Sequence, residues 1–320
     1  MWPVRLALRP PDLTGLLQAA ATVTVVFSLA TLVNSWHRFL ELFSHFRLQY
    51  LLVALMLTVL FAALKHRRWA MLMLAVTAIN AVPVLPWYFA DRSEIPSSAA
   101  RAQILFANVN SGNSNTQALL ELIETENPDL VVLHEVTDLW ATAMKAVQTH
   151  YRHRHVVERH DNFGLAVYSR RPLLNVDVLA SPPLDLPSLV FRQALGDATV
   201  NYVTTHPIPP IGKLGFDARN EQLDDIGERI AALDGPTVLI GDLNTAMWGH
   251  HYKKLVSETG LANAREGFGI IPTWPRQIPF AMIPIDQCLV SDDLAVLDIR
   301  SGPPIGSDHL PLIVTLALIR

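Results

Sequence analysis

The 320-residue sequence predicts an α/β domain behind an apolar, helical N-terminal third. Over residues 103–320, short apolar runs of strand length alternate with segments of helical period. Before them, residues 13–33, 48–64 and 69–90 contain no Lys, Arg, Asp or Glu. Several of the apolar runs end on Asn, His, Glu or Asp, residue types that bind metals or move protons.

The three charge-free segments each approach the roughly 20 apolar residues that carry a helix through a bilayer core, and we expect three membrane spans. Arg5 and Arg9 before the first segment also suit a cleaved signal peptide, but two further spans follow at once. The basic connector "KHRR", residues 65–68, is expected on the cytoplasmic side together with Arg5 and Arg9. An odd number of spans then delivers the chain after residue 90 to the outer, periplasmic or extracytoplasmic, face of the cytoplasmic membrane. Arg38 and Arg47 in the first connector argue the other way, partly offset by Glu41.

"DRSEIPSSAARA", residues 91–102, has the Pro and Ser content of a linker. After it, "QILFANVN" reads as a strand, "TQALLELIETENPD" as a helix that Asn115 can cap, and "LVVLHEV" as a second strand. A helix near residues 139–149, strands at "GLAVYS" and "VNYVTTH" and a helix over 217–233 follow. "TVLIGDLN", "IDQCLVS", "AVLDIRS" and "LPLIVTLAL" complete the strands.

Charge is unevenly divided. Residues 1–100 hold 8 Lys and Arg against 4 Asp and Glu, whereas residues 101–320 hold 17 against 25. A domain gripping polyanions through many phosphate contacts carries the opposite sign, so tight non-specific nucleic-acid binding is disfavoured. The single cysteine, Cys288, excludes an intrachain disulfide and a cysteine zinc site.

The strand ends carry the chemistry: Asn108 and Asn110, His134 and Glu135, His206, Asp242 and Asn244. Ligand sites of α/β proteins collect at the carboxyl ends of strands, where loops converge. Neighbours in an extended strand face opposite ways, so only one of His134 and Glu135 is expected in a shared site, and Glu135 is favoured. Asp242 and Asn244, two apart, share a face. Asp286 lies in an otherwise apolar strand and needs a partner, for which an imidazole is well suited. Taken singly, Glu135 in a salt bridge, His206 as a packed imidazole, and tight turns at "GDLN" and "GSDH" are the plainer readings. Together the Asn, Glu and Asp side chains suit a hard cation such as Mg²⁺ or Mn²⁺. Consecutive Ser307, Asp308 and His309 cannot form a nucleophilic triad among themselves.

"FANVN", "LHEV", "TTHP", "GDLN", "IDQCLVS" and "GSDHLP" occur in that order. Together they resemble the endonuclease/exonuclease/phosphatase superfamily, over the whole of residues 103–320 and none of the spans. The resemblance implies a four-layer α/β/β/α sandwich of two mixed sheets, the DNase I-like fold, and Mg²⁺-dependent cleavage of phosphate esters. It implies metal binding by Asn108 and Glu135 with help from Asp308, and a phosphate-binding or acid–base role for His206. It implies that Asp242 and Asn244 orient the attacking water and that Asp286 pairs with His309. Asn110, where relatives often have an acid, and Trp274 are expected to contact substrate. Gln287, where relatives frequently carry His or Tyr, is expected to bear on substrate contacts too.

Relatives act on DNA, RNA, inositol phosphates and phospholipids, so the family leaves the substrate open. The membrane tether and the apolar loops "PIPPIGKLGF" and "FGIIPTWPRQIPFAMIP" favour a lipid-linked or small phosphate. In the second loop, Trp274 and Phe280 are expected at the headgroup level. An extracytoplasmic nuclease and an inactive scaffold are the alternatives.

Overall fold

The computed structural model describes residues 12–89 and 95–319. The chain divides into two compact units, residues 1–84 and 85–320.

The first unit is helical: α1 (Leu13–Ala30), α2 (Arg38–Ser44), α3 (Arg47–Ala63) and α4 (Arg67–Val84). Asp12 caps α1 by accepting from the Gly15 amide. Ala21, Ala54, Leu57, Phe61, Met73 and Val76 pack inside, and Asn80 Nδ2 donates there to Ser28 Oγ and the Val76 carbonyl. The outward faces stay apolar: Leu16, Val26, Leu52, Val59, Met71 and Leu74 are exposed.

Among the described residues two helices, not three, are long and apolar enough to cross a bilayer by themselves: Leu13–Val33 and Arg67–Tyr88, each counted with its terminal 3₁₀ turn. The middle segment reaches that length only as a bent pair, Arg38–Ser44 and Arg47–Ala63, inclined by 65°. Arg47, at the bend, is buried and donates to the Thr31 carbonyl, a polar anchor that charge counting along the sequence does not reveal. The expected third span extends to residue 90, which lies outside the described residues, as do residues 91–94 of the expected linker.

The second unit holds two six-stranded sheets. The first, in the order β11-β12-β1-β2-β4-β3, uses β1 (Arg101–Asn108), β2 (Leu130–His134), β3 (His153–Val157), β4 (Leu165–Ser169), β11 (Leu294–Ser301) and β12 (Leu312–Leu318). The second, in the order β5-β6-β7-β8-β10-β9, uses β5 (Leu174–Ser181), β6 (Leu186–Leu195), β7 (Ala198–Thr205), β8 (Thr237–Asp242), β9 (Ala262–Asn263) and β10 (Asp286–Val290). Each sheet has one central parallel pair, β1 with β2 and β7 with β8, among antiparallel neighbours. Both are therefore mixed, as expected.

Strand alternation builds the layers. Ile104 and Phe106 of β1, Leu130 and Val132 of β2, and Val314 and Leu316 of β12 meet Phe191, Tyr202, Val238 and Ile240 of the other sheet in one core. The intervening residues Leu105, Ala107, Val131 and Leu133 face outward onto α5 (Thr116–Glu126) and Trp140 of α6 (Asp138–Ala143). Helix α7 (Gly212–Ala231) packs along α8 (His250–Thr259), and Gln222 of α7 bonds Thr205 at the end of β7.

This topology brings the site residues together. Each parallel pair is joined through a helix, so β1, β2, β7 and β8 deliver their carboxyl ends to one edge, and antiparallel β10 and β12 begin there. Asn108, Glu135, His206, Asp242, Asp286 and His309 all sit at that edge.

Candidate active site

Register poses the first problem. Asp286 of β10 stands directly opposite Asp242 of β8, both fully or almost fully buried. Two like charges on facing positions of a dry sheet repel. His309 resolves this: its Nδ1 lies 3.1 and 2.9 Å from the two Asp286 oxygens, and its Nε2 3.7 Å from Asp242 Oδ2. Burial acts to lower the His309 pKa, but Asp286 and then Asp242 outweigh it and push the imidazole up to about 10. His309 is an imidazolium at neutral pH.

Asp242 is the hub. Its Oδ2 accepts from Asn108 Nδ2 at 3.2 Å and lies 3.3 Å from His206 Nε2, while its Oδ1 accepts from the Asn244 amide at 3.0 Å. Burial alone would raise this carboxyl, yet the His309 charge and the His206 hydrogen bond and charge outweigh it and hold the group well below the usual carboxylate range. His206 is shifted upward: burial opposes its charge, and Asp242 more than compensates. Asn244 commits its side-chain amine away from the hub. Its Nδ2 donates to the Pro207 carbonyl and its own carbonyl accepts from buried Arg219, so it ties the loop after β7 to the strand end.

Glu135 follows β2 with φ 62°, and Asn110 and Asn244 leave their strands with φ 59° and 50°. Asparagine tolerates the left-handed region; glutamate does so at a cost, and such outliers gather at functional sites. The turn at Glu135 also defeats the simple alternation rule. His134 keeps its strand direction into the inter-sheet core, stacking on His206 at 5.1 Å and lying 2.8 Å from Thr204 Oγ1. Glu135 swings to the same edge, where Oε1 accepts from Asn108 Nδ2 at 3.0 Å and Oε2 from the Ser111 amide at 2.9 Å. Both residues therefore reach the site, His134 as its floor, where burial drives its imidazole well below its ordinary pKa. Gly241 is required beside it: a Cβ there would lie 2.4 Å from the Thr205 carbonyl oxygen and 2.9 Å from His134 Cε1.

Asn110, Asp308 and Trp274 form a rim. Asn110 Nδ2 donates to Asp308 Oδ1 at 2.6 Å and the Trp274 indole N–H to Oδ2 at 2.9 Å, and the Trp274 ring lies 6.3 Å from His309. Trp274 thus turns inward to Asp308 rather than outward, while Phe280 is exposed. Ser307 clamps the last turn to β1 by donating to the Asn108 carbonyl at 2.8 Å.

Gln287 departs from its expected role. It is fully buried, accepts from Asn263 and Arg265, and donates to the Thr245 and Pro284 carbonyls, facing away from the site. Arg265, also fully buried, donates to the Asp286 carbonyl at 2.7 Å and braces β10 from behind. Arg219, Gln222 and Arg265 were not singled out in the sequence. For the first two, an Arg and a Gln one helical turn apart was the available signal; Arg265 offered none.

Two groupings test whether a divalent cation fits. Asp242, Asp286 and His309 present ligand atoms within 4.8 Å of one another. Both His309 nitrogens face carboxylates, Nδ1 toward Asp286 and Nε2 toward Asp242, so the trio is arranged as a chain of ion pairs. Glu135 instead offers a carboxylate with lone pairs to spare beyond its two hydrogen bonds, beside the Asn108 amide. Those oxygen donors fit a hard cation.

Residues 105–309 match the endonuclease/exonuclease/phosphatase family. The chain belongs to that family. Solved structures with the same fold include an endonuclease/exonuclease/phosphatase protein from Beutenbergia cavernae, at 19% identity and TM-score 0.57 over 68% of this chain and 72% of that one. D. rerio TDP2 complexed with single strand DNA product gives 15% and 0.56, over 68% and 98%. The human Nocturnin catalytic domain with bound sulfate gives 17% and 0.56, over 73% and 99%. At these identities the likeness is one of fold. No curated protein matches the chain in sequence. As a member of the endonuclease/exonuclease/phosphatase family, the chain is a hydrolase of the phosphoesterase type.

Proposed function

We propose that the chain is a membrane-anchored, divalent-metal-dependent phosphoesterase. Its substrate is a lipid-linked or other small phosphate ester or pyrophosphate at the outer face of the cytoplasmic membrane. The observation that carries this reading is the buried run Asp286, His309, Asp242, His206, adjoining Glu135 and Asn108. The anchor is residues 1–90, with the α2–α3 pair as the middle span, and residues 103–320 are the catalytic domain.

Glu135 and Asn108, with Asp308 at the rim, would hold Mg²⁺ or Mn²⁺, which when bound supplies positive charge to the phosphate oxygens. His309, kept protonated by Asp286, adds a fixed positive charge there and loses no reorganisation energy in doing so. Asp242, held far below neutrality, is a weak base; it orients a water by accepting its hydrogen bond opposite the leaving group. His206, sharing Asp242, is the nearest group able to give or take a proton. Asn110 and Trp274 hold Asp308 and line the approach.

The TDP2 complex keeps a nuclease as the second reading, and the acidic balance of residues 101–320 counts against it. A scaffold is the weakest reading, since every reacting position is filled. The full chain in detergent is to be incubated with Mg²⁺ against plasmid DNA and against a polyprenyl pyrophosphate, with EDTA as control. Phosphate release from the lipid supports the proposal; nicking without phosphate release sinks it, and inertness toward both supports the scaffold.

A further inference from the structure

We propose that two loops flanking Asp242 form an apolar, acid-free rim that seats the mouth of the site in the headgroup layer of an anionic bilayer. The inference rests on the phosphoesterase reading only for what the mouth admits.

Strands β7, β8 and β10 are neighbours in one sheet. Residues 207–216, a loop and the first turn of α7, leave the carboxyl end of β7, and the loop of residues 274–285 enters β10, so the two stand on either side of Asp242. Their tips carry the three most exposed large hydrophobic side chains among the described residues: Ile211 at 81%, Leu214 at 86% and Phe280 at 82%. Ile278 is exposed beside Phe280. A lone exposed apolar residue needs no explanation, but several on two loops around one opening do.

Both loops are stiff. Pro207, Pro209 and Pro210 restrict the first. The second is closed at its base where Trp274 and Ile283 pair, and pinned where Arg276 donates to the Asp308 and Ser307 carbonyls. Stiff apolar tips lose little freedom on insertion.

Charge chooses the occupant. Residues 207–216 and 274–285 hold one basic residue each, Lys213 and Arg276, and no acid of their own; Lys213 is paired with Asp217 one turn further along α7, so the positive charge of the rim is that of Arg276. That composition complements anionic headgroups. The tether points the same way. Tyr88 and Trp87 end an apolar helix, and the Trp87 carbonyl accepts from the Gly269 amide at 2.8 Å. Tyr88 lies so close that a Cβ on Gly269, where φ is +97°, would meet its ring at 2.7 Å. Trp87, Tyr88 and Gly269 thus pack together within the second unit, shortly before the second loop, and aromatic residues of this kind mark membrane–water interfaces.

The test uses the full chain in phosphatidylcholine vesicles with and without phosphatidylglycerol. A polarity-sensitive dye is attached to Leu214→Cys, Phe280→Cys or the control Glu228→Cys; Glu228 is exposed on α7 and lies about 21 Å along the helix from Leu214. Native Cys288 is fully buried and stays unlabelled. Quencher lipids carry a spin label near the top of the acyl chain. The expected result is quenching at positions 214 and 280 only, from a depth of about 5–10 Å, and stronger quenching with phosphatidylglycerol. Quenching no greater than the control's in phosphatidylglycerol vesicles overturns the rim, and quenching indifferent to phosphatidylglycerol overturns the choice of an anionic surface. The readout is contact and not turnover, so a failed substrate panel leaves it intact, and an unquenched rim on an active enzyme overturns the rim alone.

Discussion

Replacing Asp286 by Asn removes one charge from a fully buried pair and leaves an acceptor of nearly the same shape opposite His309. Breaking a buried ion pair from one side costs about 3–5 kcal/mol, and the retained acceptor places Asp286→Asn at the lower end. For a domain of this size about 1 kcal/mol moves Tm by roughly 2–4 °C, so a fall of about 6–12 °C is expected. The pH dependence is more telling. His309 has a folded pKa raised to about 10, so the stability it gains from Asp286 is complete below its ordinary value near 6.5 and disappears as pH rises through 10. The difference between wild type and Asp286→Asn should be largest near pH 6 and shrink above pH 10. Thermal unfolding followed by tryptophan fluorescence across that range measures it. An equal Tm difference at both ends would refute the assignment of His309 as an imidazolium held by Asp286.

Three other outcomes follow from the same geometry. Asn108→Ala removes the amide shared by Glu135 and Asp242 and should raise the Mg²⁺ concentration for half-maximal activity by about 10–100-fold, read from an EDTA-stripped titration. Arg265→Met takes a donor from the Asp286 carbonyl and from Gln287, and should destabilise the catalytic unit by about 1–3 kcal/mol for each group left short, read by denaturant unfolding. Trp274→Phe removes the indole donor from Asp308 while keeping an aromatic ring, and should raise KM more than it lowers kcat in steady-state assays.

Much of the site was legible because chemistry-bearing residues interrupt apolar strands at their ends. Asn108, Asp242 and Asp286 announce themselves that way, and parallel strand pairs explain why they meet. Glu135 and His134 were legible as a pair but not as partners, since only the left-handed turn at Glu135 sends both to one edge. Arg265, and with it the network role of Gln287, stayed hidden because a buried polar network leaves no spacing in the sequence. The fold was read best at its centre. Edge strands β3 and β5 are partly or largely exposed and lack an apolar run. β6 and α8 were also passed over. The middle apolar segment reads as a plain span because hydropathy does not record a 65° bend.

The most direct test of the account compares the wild-type chain with Asp242→Ala, both reconstituted with Mg²⁺ and a polyprenyl pyrophosphate in the same vesicles. The account predicts metal-dependent phosphate release by the wild type and a rate about 10²–10⁴-fold lower for the variant, the usual range for a lost acid–base or water-orienting group. Equal rates in the two proteins, or release that survives EDTA, would contradict it.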